Sequence, residues 1–435
     1  MTKASLKRVV EHYPLNASQI EDLHHKAGPL SRFILQRSEG GGTPPQFSYF
    51  GLEASLISQT DADRLTRGSP EETGDSPEFA KVPFKGGVFA YLPYDGGGTE
   101  GPQFWLVSKM LVIDHVNAIA FIVVSGAGAN STICQEIFDE LVRVPNAVAR
   151  PAATDAIERA EWAVDVSMEE YVGRIGEIQS RIGQGELQQA ILSVGLSKRT
   201  NATAEAVFDV MRQRNSSPHI FLVRDEHTTL IGASPAMHLR KTGSLLTVET
   251  DAGTRRIGDT EEATQAIMQE LLSSAKDLEE QKMIVDETIV DLKAIAADGK
   301  VNMPIELEVR KLGSVMHLFT VLEAEIKSDL SPLGAVLSCF PPSAVTGAPR
   351  RDAIKVIKDV ERKPRGPYGG VVGMIGFDGS VDTAIILRSA WIDGDQITMR
   401  CGGGITHASV ATEEYNECMN KARSMIDCVR EAEGL

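Results

Sequence analysis

Apolar positions along this chain follow two periods, and the switches between them mark out its elements. Alternating or near-continuous apolar runs over 47–57, 86–92, 118–124 and 187–196 predict strands. Helical spacing takes over at 133–144 and in two longer stretches. In 278–297, Leu278, Val285, Ile289, Leu292 and Ala296 fall on one stripe, as do Tyr415, Met419, Ala422, Ile426 and Val429 near the C-terminus. Ser167 with Glu170 reads as a capping box that opens a helix of about four turns, closed near Gly183 and Gly185. Residues 371–401, with Asp-Gly turn signals at 378–379 and 393–394, predict a three-strand antiparallel meander.

Polar, Gly/Pro-rich segments at 39–45, 67–78 and 95–102 punctuate the first part, and 149–161 reads as a linker. Two regions result: an N-terminal subdomain over 1–150 and a larger domain over 165–435. Strands and helices come in blocks without regular βαβ alternation, which predicts an α+β fold. No GxGxxG, GxxxxGK[ST], GxSxG or HExxH is present, so dinucleotide, P-loop, α/β-hydrolase and zincin readings lack support.

Composition changes the picture in three places. A formal net charge of −16 argues against nucleic-acid binding, while leaving room for a local basic pocket. Five cysteines without a CxxC pair read as reduced thiols of a cytoplasmic protein. The N-terminus lacks an apolar export segment, and no run approaches eighteen apolar residues, so no membrane span is expected.

Candidate chemistry concentrates on the two long helices and the strands before the C-terminus. Glu414, Glu417 and Lys421 fall on one helical face, and Asp277 and Glu280 hold the same relation to their own stripe. Packed together, the two helices would gather hard oxygen ligands suited to Mg²⁺; solvated acidic faces produce the same spacing. Arg388 ends the apolar run 383–387, which predicts a guanidinium drawn into the protein, to anchor an anion or form an internal salt bridge. CGGGI (401–405) reads as a glycine-rich turn with free backbone N–H groups, and His317 sits in an apolar context that suits a core histidine equally well.

Ten motifs occur in order: GELQQAILS (185–193), GASP (232–235), AGTR (252–255), KDLEEQ (276–281), GSVMH (313–317), FPPSAVTGAP (340–349), GPYGG (366–370), DTAIILR (382–388), CGGGI and EEYNE..NKAR (413–423). In them the segment from about 165 to 435 resembles the chorismate-utilising enzymes: the first components of anthranilate and aminodeoxychorismate synthases, and the isochorismate and salicylate synthases. GGVFAYLPYD (86–95) is similar to an N-terminal signature of the anthranilate branch. The resemblance implies antiparallel sheets packed as a sandwich, helices outside, and an active site in a cleft. It implies that Glu280 and Glu417 ligate Mg²⁺ directly, that Glu414 and Asp277 hold metal-bound water, and that the metal binds the ring carboxylate of chorismate. Arg388, Tyr368 and the backbone at Gly402 and Gly403 would hold the enolpyruvyl carboxylate. Thr254, Lys421, Ala252 and Gly253 would line the ring, with His317 by the reacting face.

Three positions then choose the reaction. Enzymes of this family that add water at C2 carry a lysine base where this chain has Gln189, and the aminodeoxychorismate branch has a nucleophilic lysine where it has Ala252. Addition of ammonia at C2 follows, giving 2-amino-2-deoxyisochorismate or anthranilate, with ammonia from a separate glutamine amidotransferase subunit. Water addition (isochorismate or salicylate synthesis) and chorismate binding without catalysis are the alternatives. The family's SPE motif supplies a general-acid glutamate, but this chain has Ala236, and 248–255 lacks the usual proline-containing dipeptide. His238, two residues on, is the expected substitute acid; packing or solvent exposure is the competing reading.

Overall fold

In the computed structural model, which describes residues 7–38, 44–67, 80, 82–95, 101–143, 161–312 and 315–435, every strand pairing is antiparallel. Nearly all of the expected linker at 149–161 and most of the polar segment at 67–78 lie outside the described residues. One sheet runs from Gln189–Arg199 through Gln396–Ile405, Ser389–Asp393, Thr228–Ser234, His219–Arg224, Phe33–Arg37 and Phe47–Ile57 to Gln103–Asp114. The other runs from Asn302–Leu312 through Val315–Glu325, Leu245–Arg256, Met237–Thr242, Val381–Ile385, Val371–Gly376 and Gly87–Leu92 to the same Gln103–Asp114. Two of the crossings between them are tight corners, at 235–236 and 386–388.

An aromatic layer fills the space between the sheets, with Phe33 stacked on Phe89 at 3.9 Å and Trp105, Phe121 and Phe221 around them. Helices Met168–Gly183, Ala204–Arg214, Arg350–Glu361 and Ala411–Ala432 cover the outside of the first sheet. Ala275–Ile295 and Pro332–Ser338 cover the second. This is the α+β sandwich with helices outside. Strands from 1–150 and 165–435 are interleaved: Phe33–Arg37 lies against His219–Arg224, and Gly87–Leu92 against Val371–Gly376. The five cysteines are buried free thiols, and no helix among the described residues is long and apolar enough to cross a membrane.

Two predicted patterns come out differently. The predicted meander is two hairpins in different sheets, Val371–Gly376 with Val381–Ile385 and Ser389–Asp393 with Gln396–Ile405, because 386–388 turns a corner at which Arg388 adopts φ +45°. Both long helices are also rotated from their predicted stripes. Ala275–Ile295 buries Asp277, Gln281, Ile284, Thr288, Leu292 and Ile295, and Ala411–Ala432 buries Glu414, Cys418, Ala422, Met425, Cys428 and Val429. Gln281 is admitted because its amide donates to the Thr250 hydroxyl (3.0 Å) and the Thr320 hydroxyl (2.9 Å).

A charged cluster ties the two sheets together. Arg37 Nε donates to Asp382 at 2.7 Å, and the buried His219 Nε2 meets the other Asp382 oxygen at 2.9 Å. Burial alone would raise the Asp382 pKa, but Arg37 and His219 outweigh it and hold the carboxyl far below its ordinary value; burial holds His219 below its own. In both cases the unfolded chain binds more protons in acid, so stability is present at neutral pH and is lost as pH falls. We expect unfolding by urea to show stability declining from about pH 6 to pH 3. Asp382→Asn should cost about 3–5 kcal/mol at pH 7 by leaving Arg37 unpaired, and should flatten the decline. Parallel pH profiles for parent and variant would contradict this.

Candidate functional site

One wall of the cleft is built on glycine. CGGGI is not a turn: Gly402, Gly403 and Gly404 continue the strand Gln396–Ile405 and pair with Ser193, Leu192 and Ile191. They lack side chains because neighbours occupy the space. A Cβ on Gly402 would stand 2.8 Å from the Tyr368 hydroxyl, and one on Gly403 3.3 Å from Glu414 Oε2 and 3.9 Å from Glu417 Oε1. On Gly404 it would stand 2.4 Å from Gln189 Nε2 and 3.3 Å from Glu280 Oε1. Tyr368, Gln189 and three of the four predicted metal carboxylates therefore meet on this strip. Burial pushes the Tyr368 hydroxyl upward against the opposing pull of Arg365 and Lys421, so it remains a donor. Gln189 is buried with its Nε2 unpartnered.

Three of the four carboxylates touch cations. Glu414 is buried 3.2 Å from Lys276, Asp277 lies 2.7 Å from Arg255, and Glu417 lies 2.7 Å from Lys421, whose ammonium also donates to the Gly402 carbonyl at 3.0 Å. Burial alone would raise Glu417, and Lys421 brings it below its ordinary value. Glu280 has no cation in contact; burial, with Glu417 adding, pushes it up to about 7 against the pull of Lys421. Among the described residues no three His, Cys, Asp or Glu side chains converge as a ready metal cage. The chemistry nevertheless fits a hard divalent cation: all donors are oxygens, and Glu280, buried and without a contacting cation among the described residues, is the carboxyl that a bound cation would hold ionised.

The corner residue Arg388 has Asp251 and His317 near it. Its guanidinium is not drawn into the core as predicted; it lies open to solvent within a cleft whose walls surround it, and makes no ion pair or hydrogen bond among the described residues. Burial by those walls lowers its pKa and Asp251 opposes the shift. His317 is buried, with Nδ1 3.2 Å from the Thr254 hydroxyl and 4.0 Å from Asp251 Oδ2. Its pKa lies below the ordinary value through burial, with Asp251 opposing and Arg388 adding. A bulge between Ala252 and Thr254 sets Thr254 opposite His317, and Gly253 at its centre (φ +62°) packs against Asp277.

His238 does not serve as predicted. Its strand begins only at Met237, after the corner, and the ring is buried between the Cys339 carbonyl (Nε2, 3.1 Å) and the Thr383 hydroxyl (Nδ1, 3.2 Å). Burial lowers it to about 4, so both nitrogens are committed and the ring is neutral. Beside Ala236 lies a cavity of about 40 Å³, also lined by Thr250, Asp251 and Ser343.

Sequence reasoning missed four groups that shape the cleft. Arg255 and Lys276 stand within the AGTR and KDLEEQ motifs yet were not read as partners of the carboxylates. Asp251 lies in the altered stretch before AGTR, which was the signal available. Arg365, fully buried, donates to both Glu361 oxygens (3.0 and 2.8 Å) and to the Val345 and Ile191 carbonyls, beneath the rings of Tyr94 and Tyr368. Nothing in the spacing distinguishes that pair from a solvated i,i+4 bridge.

Comparison with known proteins accords with this geometry. A family model described as chorismate binding enzyme matches residues 33–427. Component 1 of anthranilate synthase from Thermus thermophilus is 30% identical, over 81% of this chain and 79% of its own length. The Acetivibrio thermocellus protein is 27% identical, over 92% and 90%. Among solved structures, anthranilate synthase component I of Streptococcus pneumoniae superposes with a TM-score of 0.74 at 21% identity, covering 91% of this chain and 92% of that one. The menaquinone-specific isochorismate synthase of Escherichia coli superposes at 0.77 and 18%, covering 98% and 94%.

The glycine strip yields a test. Gly404→Ala should lower stability by about 1–3 kcal/mol through overpacking against Gln189. Adding Gln189→Ala should recover most of that loss in a double-mutant cycle read by urea unfolding. Simple additivity of the two losses would show that the strip is not crowded by this side chain.

Proposed function

The chain belongs to the chorismate binding enzymes and is a chorismate-utilising enzyme of the anthranilate synthase component I type; we propose that it adds ammonia at C2 of chorismate. The product is 2-amino-2-deoxyisochorismate or, after loss of pyruvate, anthranilate. Gln189 carries this reading. Its amide, buried on the glycine strip beside Glu280, is no proton acceptor at neutral pH. Water needs a base at this point to become a nucleophile, whereas ammonia arrives with a free lone pair. Ala252 excludes covalent attack by a lysine at its own position.

The substrate carries two carboxylates, and the cleft offers a separate anchor for each. Arg388, a guanidinium without a partner among the described residues, takes the enolpyruvyl carboxylate together with the Tyr368 hydroxyl and the backbone at Gly402 and Gly403. Glu280 and Glu417, with Glu414 and Asp277 behind them, would hold Mg²⁺. When bound, that ion supplies positive charge to the ring carboxylate and polarises the ring. Lys276, Lys421 and Arg255 pair with Glu414, Glu417 and Asp277 and hold them apart before metal and substrate arrive. Thr254 orients the His317 ring through Nδ1, leaving its other nitrogen for the reacting face. Ammonia comes from a separate glutamine amidotransferase subunit, or from ammonium in solution.

Incubation with chorismate, Mg²⁺ and ammonium, read by mass spectrometry, should give the amino product or anthranilate, and chelation of the metal should abolish it. Isochorismate or salicylate formed without ammonium would refute the ammonia reading; unconverted chorismate that raises the melting temperature would mark a binding protein. Arg388→Ala should lower kcat/KM by roughly 10- to 150-fold, the loss of a charged hydrogen bond worth about 1.5–3 kcal/mol.

A further inference from the structure

Displacing the C4 hydroxyl of chorismate takes a proton, because hydroxide leaves poorly. The position that the resemblance gives to that acid is Ala236, and both nitrogens of His238 are committed to the Cys339 carbonyl and the Thr383 hydroxyl. Among the other carboxylates at the cleft, Asp277, Glu414 and Glu417 each touch a cation, and Glu280 belongs to the glycine strip. Asp251 is different. Among the described residues it pairs with no lysine or arginine; it stands 4.0 Å from His317 Nδ1, keeps one-third of its side chain (33%) exposed, and lines the same small cavity as Ala236.

We propose that Asp251 is the general acid of this enzyme, supplying from the strand Leu245–Arg256 the proton that a side chain at position 236 no longer can. The assignment rests on the chorismate reading above. The substrate's own connectivity supports the placement. C4 is the ring neighbour of C3, which bears the enolpyruvyl ether, and lies across the ring from the C1 carboxylate. A group beside the enolpyruvyl anchor and away from the metal carboxylates therefore stands beside the C4 oxygen. Asp251 meets both conditions: its charge acts on Arg388, and it is not among the side chains packed on Gly402, Gly403 and Gly404.

In the step itself the ammonia lone pair forms the C2–N bond. The C1=C2 pair moves to C1–C6, the C5=C6 pair moves to C4–C5, and the C4–O pair departs with the oxygen. Asp251 protonates that oxygen, releasing water; the new ammonium at C2 loses its extra proton to solvent, and Asp251 is reprotonated from solvent. Glu249, two residues back on the same strand face, is a second carboxyl beside Asp251, held above its ordinary value by burial against the pull of Arg310, Arg37 and His219.

Asp251→Asn keeps the shape and removes the proton, and Asp251→Ser serves as a second variant should the first misfold. Either should lower kcat by about 10²–10⁴-fold, keep thermal stabilisation by chorismate, and regain activity when Ala236→Glu is added. Undiminished turnover, or a loss that Ala236→Glu leaves unrepaired, overturns the assignment. A parent enzyme that converts chorismate neither with ammonium nor with water instead defeats the reaction proposed above, and this role with it.

Discussion

Arg365 and Glu361 meet in the interior, where neither would be tolerated alone. Taking both out of water costs several kcal/mol per ion, offset only if every remaining donor and acceptor is satisfied. Here they are. The guanidinium reaches Glu361 twice and two main-chain carbonyls, while Glu361 also accepts from the Ser193 N–H and hydroxyl, each at 2.8 Å. The pair thereby joins the helix Arg350–Glu361, the strand Gln189–Arg199 and the loop that carries Tyr368. Asp95, from the first third of the chain, accepts from the Arg365 and Gly366 N–H groups and closes the junction. Gln189, Tyr368 and the glycine strip keep their spacing because this knot beneath them admits one arrangement.

Above that floor, the cleft resolves an electrostatic conflict. A chain of net charge −16 acts on a dianion. Beyond about 10 Å in physiological salt the overall charge is screened, so what the substrate meets is the local pattern. Asp277, Glu414 and Glu417 are each matched by a cation, whereas Glu280 and the corner residue Arg388 make no ion pair among the described residues. Under the proposed reading, the matched carboxylates would exchange partners for a metal, and Arg388 would meet the incoming carboxylate.

Much of this was legible in the sequence, and the misreadings have physical causes. The ordered motifs identified the family; of the residues they named, Gln189, Tyr368, Glu280, Glu414 and Glu417 meet on the glycine strip, and Thr254 pairs with His317. Arg388 was read as the end of a continuous strand because the apolar run TAIIL carries no breaker. A non-glycine residue at positive φ leaves no compositional trace of the corner it makes. The same blindness misplaced His238, since alternation assumes an unbroken strand and the corner at 235–236 falls just before it. The helix stripes were rotated because only apolar residues were placed on them, whereas Gln281, whose amide N–H donates to two threonine hydroxyls, and Thr288, which donates to the Ile284 carbonyl, also pack inward. The pairing of Asp277 with Arg255 links a helix to a strand 22 residues earlier, a proximity that only the fold creates.

Interleaving of the two regions has a consequence for how the protein is made. Phe33–Arg37 finds one neighbour within a few residues, but its other edge waits for His219–Arg224; Gly87–Leu92 waits for Val371–Gly376. Arg37 meets Asp382 only after 345 further residues. A nascent chain leaving the ribosome therefore exposes apolar strands with open hydrogen-bonding edges until synthesis is nearly complete. Chaperone protection during translation would bear on this enzyme's yield as directly as the stability of its finished fold.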